Sequence, residues 1–366
     1  MRFCMILILA AMLLTGTVCA ADVTGELGES LGTGELAESL PDEARDVLGD
    51  LTVQDALQPE GALKRLWNAL REQFFAVLRE GLRPTVCITV TALLCALSAV
   101  LFENGAVPDY VPLAGALVIA AATVGELNSF LSLGVETLST LSDYSKILLP
   151  CLTAAAAASG AVTSAAAKYA AAALFMDMVL SLAQAVVLPA VCAYTAVVIA
   201  NAAFGGTGLT AAAKLLKTVC RTLLTAVVLC FTAYLSLTGV ISGSADAVAL
   251  RVAKTAISSA LPVVGSIVSD AAGAVLGGAA VLRGAVGVFG MLAVLGICLT
   301  PFLQLGVRYL LFKLAAMLSA AFADNRLSGL ISGLGDAFGM VTAMVGTGGF
   351  ILFVSMISGI RAVSCA

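Results

Sequence analysis

Arg251, Lys254 and Ser258 are the residues whose types and spacing first suggest chemistry. Three and four positions apart, they form one polar stripe on a helix whose other positions are mostly Ala, Val, Ile and Leu. Such a helix, set among hydrocarbon-length segments, either lies on a bilayer surface or faces something wet, a partner or a lumen. It runs without a linker into a Pro- and Gly-bearing apolar stretch, Leu261 to Leu282. Two acids join the set. Asp177 lies mid-span in LFMDMVL, and Asp270 follows Pro262 and Gly265. A charge at the bilayer centre costs about 2.5–3.5 kcal/mol on insertion scales, so both acids should face a bundle interior or water. Arg251, Lys254 and Arg283 are the bases available to pair with them. Lys168 is too far along a helix to reach Asp177 directly. A structural ion pair or a membrane-edge position is favoured over a proton or ion path.

Nothing else in the chain reads as catalytic. The chain has no His, which removes the usual general base and titrating switch. Its ten Cys include no CxxC pair and, without His, complete no usual zinc set, so they read as reduced apolar fillers. Gly205-Gly206-Thr207-Gly208 lacks the Lys-Ser/Thr of a phosphate loop and reads as a turn. A non-enzyme without cofactor or metal is expected.

The elements that must position these residues follow from composition. Of 366 residues, 60% are hydrophobic and 11% charged, with a mean hydropathy of +1.06. Soluble domains carry about a quarter charged residues, so the expectation is an all-α, polytopic membrane protein with amphipathic interfacial helices, re-entrant or broken segments being allowed for. No basic cluster suggests nucleic-acid binding.

Residues 1–20 read as a signal peptide: Arg2, an apolar run from Met5 to Leu14, and Val18-Cys19-Ala20 as the cleavage site. Residues 21–60 form an acidic, partly disordered extracytoplasmic arm, in which GELGESL (25–31) and GELAESL (34–40) make an imperfect duplication. Leu27, Leu31, Leu36, Leu40, Val47, Leu48 and Leu51 would give the arm weakly amphipathic helices. Residues 61–83 read as an amphipathic interfacial helix, apolar at Leu63, Leu66/Trp67, Leu70, Phe74 and Val77/Leu78 and ended by Gly81 and Pro84. Residues 84–366 form the multispan domain, with seven to nine embedded segments. Pro150, Pro189 and the Leu261-Pro262-Val263-Val264-Gly265 stretch are its candidate breaks. Gly273-xxx-Gly277, Gly284-xx-Gly287-xx-Gly290 and Gly335-xxx-Gly339 are small-residue seams, expected to pack helices within the chain.

LSDYSKILLPCLTAAAAASGAVTSAA (141–166) and SADAVALRVAKTAISSALPVVGSIVSDAAGAVLGGAAVLRGAVGVFGMLAVLGICLTPFLQL (244–305) resemble the two distinctive regions of the stage III sporulation protein AE family. The resemblance covers about Arg83 to Arg361. It implies an integral membrane subunit of the secretion-like channel complex between mother cell and forespore, required for endospore formation and late forespore gene expression. It implies residence in the mother-cell or outer forespore membrane. The implied partners are the other membrane proteins of the stage III A operon and SpoIIQ, with the lipid bilayer around them and homo-oligomerisation left open. The family defines no catalytic residues, so none carry over. The alternative is a self-contained secondary transporter with its site at the broken helices.

Overall fold

The computed structural model describes residues 33–49, 52, 59–101, 110–260 and 265–361, and every element among these residues is a helix. Two short helices, α1 (Thr33–Glu38) and α2 (Asp42–Leu48), precede the long ones. Helix α3 (Pro59–Leu101), α4 (Tyr110–Ala158), α5 (Val162–Leu182), α6 (Leu188–Phe204), α7 (Thr207–Ala260), α8 (Gly265–Ser319) and α9 (Asn325–Arg361) follow. A π-helical turn, Ala183–Val187, joins α5 to α6 immediately before Pro189. It leaves α5 and α6 a single path, so Pro189 does not divide it. The expected signal peptide lies outside the described residues.

Among the described residues, six helical stretches are long and apolar enough to cross a membrane. Segments that read as separate in sequence are parts of one rod. Pro84, Pro150 and Pro301 lie inside α3, α4 and α8 and do not end them. A proline removes one intrahelical bond, and packing on either side can hold the helix through the gap. Leu148, Leu149, Cys151 and Leu152 are buried around Pro150 in this way. Gly81, read as a helix end, is instead a contact glycine: a Cβ there would lie 2.6 Å from Leu311 of α8. The 54 and 55 residues of α7 and α8 make rods of about 80 Å, more than twice a hydrocarbon core.

The antiparallel pair α8–α9 forms the centre. Its register is set by glycines that admit large neighbours. On α9, Gly335 meets Phe312, Gly339 meets Tyr309, Gly346 meets Phe302 and Gly349 meets Cys298. From α8, Gly287 meets Ile360, and Gly290 meets Met356 and Leu148. These seams pack inside the chain, where close backbone approach supplies the contact that lipid cannot. Gly273, Gly277 and Gly284 meet nothing within 4 Å. Helix α4 runs along the same core, with Gly134 against Val341 and Leu138 against Gly348. On the other side, Gly333 receives Val198 of α6, and a Cβ on Gly333 would lie 2.5 Å from Val198 Cγ1. Gly333→Ala is therefore expected to destabilise the bundle by about 1–3 kcal/mol through overpacking, outweighing the helix-propensity gain of about 1 kcal/mol. Thermal unfolding in detergent measures the balance.

The described part of the acidic region folds back onto this core. Leu36, Leu40, Ala44, Val47 and Leu48 are buried, and Ala44 and Leu48 cover Gly296 of α8. Arg65 of α3 donates to the Leu48 carbonyl at 3.1 Å, fixing the end of α2.

Candidate functional site

The densest buried polar chemistry lies where α4 breaks into α5. Gly160 takes φ of +91°, a conformation that suits glycine, and turns the chain between Ala158 and Val162. The first residues of α5 then carry backbone N–H groups with no intrahelical acceptor, and Ala161 offers no side-chain cap. Asp246 of α7 supplies one from across the bundle. Its carboxylate accepts from the Thr163 N–H at 3.1 Å, the Ser164 N–H at 3.0 Å and the Thr163 hydroxyl. An anion at a helix N-terminus also meets the positive end of the helix dipole. Burial opposes ionisation, but the bonds from Ser164 and Thr163 together hold the Asp246 carboxyl below the ordinary carboxylate value.

Charge of the opposite sign meets the last described turn of α9. Helix α9 is described as far as Arg361, and two carbonyls of its last described turn accept from buried cations. Lys168 Nζ donates to the Ser358 carbonyl at 2.7 Å, and Arg283 Nη2 donates to the Ile360 carbonyl at 2.7 Å. Arg283 Nη1 also donates to Ser159 Oγ at 3.2 Å, tying α8 to the end of α4. Arg283 is only 1% exposed. Cations at a helix C-terminus are favoured by the dipole and satisfy orphan acceptors. Lys168 lies within electrostatic reach of both Arg283 and Asp246, so the three charges form one junction. The adjoining cavity, lined by residues including Thr153, Lys168, Tyr169 and Ser355, has a volume of about 20 Å³. That holds about one water, against roughly 300–1,000 Å³ for a small-molecule site.

A second ionic cluster lies toward the other end of α9. Asp336 pairs with Lys217 of α7 at 2.8 Å and Lys313 of α8 at 2.9 Å, and Lys313 also donates to Ser332 Oγ at 2.8 Å. At the same level Arg308 of α8 lies 3.5 Å from Glu126 of α4 and over the Phe130 ring at 5.4 Å.

Of the candidate residues Arg251, Lys254, Ser258, Asp177 and Asp270, Asp177 is the one whose side chain is described. Asp177 is exposed on α5, and its charged neighbour is Lys146 of α4, itself paired with Asp143 at 2.8 Å. Arg283, one of the bases available to pair with these acids, bonds to a hydroxyl and a carbonyl. Arg251, Lys254 and Ser258 lie on α7 and Asp270 on α8, but their side chains lie outside the described residues. Helix α7 is described to Ala260 and α8 from Gly265, and the break expected at Pro262 lies outside the described residues. Sequence reading missed Asp246 as a cap and Ser159, Ser358 and Ile360 as the partners of the cations. The available signal was local: Lys168 and Arg283 are lone charges bordering uncharged stretches, and Ser159-Gly160 lies directly before a segment that lacks its own cap.

Buried charge spent on joining helix ends, along rods longer than a bilayer is thick, defines an integral, multi-pass helical membrane protein. The profile described as Stage III sporulation protein AE matches residues 45–362, reaching back into α2. The chain is 24% identical over 308 residues to Stage III sporulation protein AE of Bacillus subtilis (strain 168), covering 82% of this chain and 75% of that one. No solved structure matches. The chain belongs to the stage III sporulation protein AE family, and that membership implies a role in sporulation.

Proposed function

We propose that this chain is a non-enzymatic membrane subunit of the channel complex between mother cell and forespore, needed for late forespore gene expression. Its partners in this reading are the other stage III A-operon membrane proteins and SpoIIQ. It resides in the mother-cell-derived outer forespore membrane, with its N-terminal region extracytoplasmic after signal cleavage. The observation that carries the reading is the family match across nearly the whole bundle, including both sequence regions that flank the capped junction. Deleting the gene from its endospore-forming host is expected to abolish heat-resistant spores and silence a late forespore reporter, both restored by the wild-type copy. Normal spore counts in the deletion strain would refute the reading.

In the same reading the stripe of Arg251, Lys254 and Ser258 faces a partner or lumen. Replacing Arg251 and Lys254 together by Gln is expected to impair complex assembly and sporulation while leaving the protein in the membrane. Unchanged assembly and spore counts would remove the stripe from the account.

A further inference from the structure

The bundle has two unlike flanks at one depth. Gln73 of α3 bonds to Thr300 of α8 at 3.0 Å, while Phe302 packs on Gly346 and Leu138 of α4 on Gly348. The middle of α3 and the middle of α4 therefore lie level with the centres of α8 and α9. At that level the α3–α4 flank mixes charged with apolar side chains: Lys64, Arg71, Glu72, Arg79, Glu136, Asp143 and Lys146 are exposed among exposed Trp67, Phe74, Phe75 and Ile147, with Asp177 of α5 beside Lys146. Helix α7 differs at this level. Leu229, Tyr234 and Leu237 of α7 are exposed there, and α7 carries no charge from Thr222 to Thr238. A protein ringed by lipid would be apolar on both flanks, since charges facing hydrocarbon are costly.

The charges are sorted. From Lys64 to Arg83, α3 carries five bases and two acids, whereas the exposed Glu136, Asp143 and Asp177 are joined only by Lys146. Arg71, Arg79 and Glu136 make no ion pair among the described residues. We propose that this flank is an interface between two copies of the chain, in which the basic strip of α3 in each copy meets the acidic strip of α4 and α5 in the other. Copies inserted with one orientation are related by an axis along the membrane normal, so each group meets groups at its own depth. Arg71 and Asp143 share a depth. The two strips lie side by side on one flank, so a single two-fold axis forms both contacts at once. This goes beyond the sporulation reading and does not use it.

The test uses the full chain with its native cysteines replaced, co-expressed from two differently tagged copies. Arg71→Cys in one copy and Asp143→Cys in the other are expected to cross-link between tags in membranes, while Leu229→Cys on α7 gives no cross-link with either. Arg71→Glu and Asp143→Arg alone are each expected to lower the dimer fraction in mild detergent about tenfold, and the two together to restore it. Thermal unfolding of each variant separates lost association from lost folding. A monomeric wild-type chain overturns the proposal. So do absent inter-tag cross-links, or a well-folded pair of single variants that dimerise normally. Because the assay needs no sporulating cell, its failure leaves the sporulation reading untouched.

Discussion

Arg283→Ala is expected to destabilise the bundle by about 3–5 kcal/mol. The guanidinium is almost fully buried, at 1% exposure, and its loss leaves the Ile360 carbonyl and Ser159 without their donor. Each orphaned buried group costs about 1–3 kcal/mol, and the vacated volume adds a cavity term. The drop is measured by heating the detergent-solubilised protein and following its size-exclusion peak. Lys146→Ala supplies the contrast: its pair with Asp143 has side chains 63% and 68% exposed, so the loss should be about 0–1 kcal/mol. A variant at position 283 no less stable than the one at 146 would mean that the junction does not hold the bundle.

Asp246→Ala is the second large effect, about 2 kcal/mol from a lost helix cap. It removes the acceptor for two backbone N–H groups and a hydroxyl at the start of α5. The carboxyl is held below its ordinary value in the folded chain, because the bonds from Ser164 and Thr163 outweigh the burial that opposes ionisation. Its contribution is therefore complete above the unfolded carboxylate's pKa and is lost as pH falls through the lower, folded value. Wild-type stability should fall over that acidic window by more than the Asp246→Ala variant's does. Parallel curves for the two proteins would show that the carboxylate is not a cap.

The fold class was legible because composition decides it: a chain with 60% hydrophobic and 11% charged residues buries itself in lipid as helices. Boundaries were less legible. Pro84 and Pro150 signal helix ends in isolation, and only the packing that holds the chain on both sides shows that they do not act as such. The glycine seams were readable as helix contacts, yet nothing local tells that Gly335 and Gly339 are filled by Phe312 and Tyr309 while Gly273 and Gly277 are not. The junction was hidden for the same reason. Asp246 meets Thr163 over 83 positions, and Arg283 meets Ser159 over 124. The start of α5 shows only that it lacks a cap of its own, not which distant residue supplies one, and a cation on backbone carbonyls has no partner residue type to search for. Asp177 drew notice as a lone mid-span acid; its nearest base, Lys146, follows from the antiparallel run of α4 and α5 around Gly160.

The central claim is that this chain works as part of a multi-protein membrane assembly. Purifying the tagged wild-type protein in mild detergent from membranes of sporulating host cells tests it most directly, with each co-purifying protein identified and quantified by mass spectrometry. The expected result is a stable complex in fixed ratio with the other membrane proteins of its sporulation operon. Recovery of the chain without them, together with solute uptake by the lone protein in liposomes, would contradict the account.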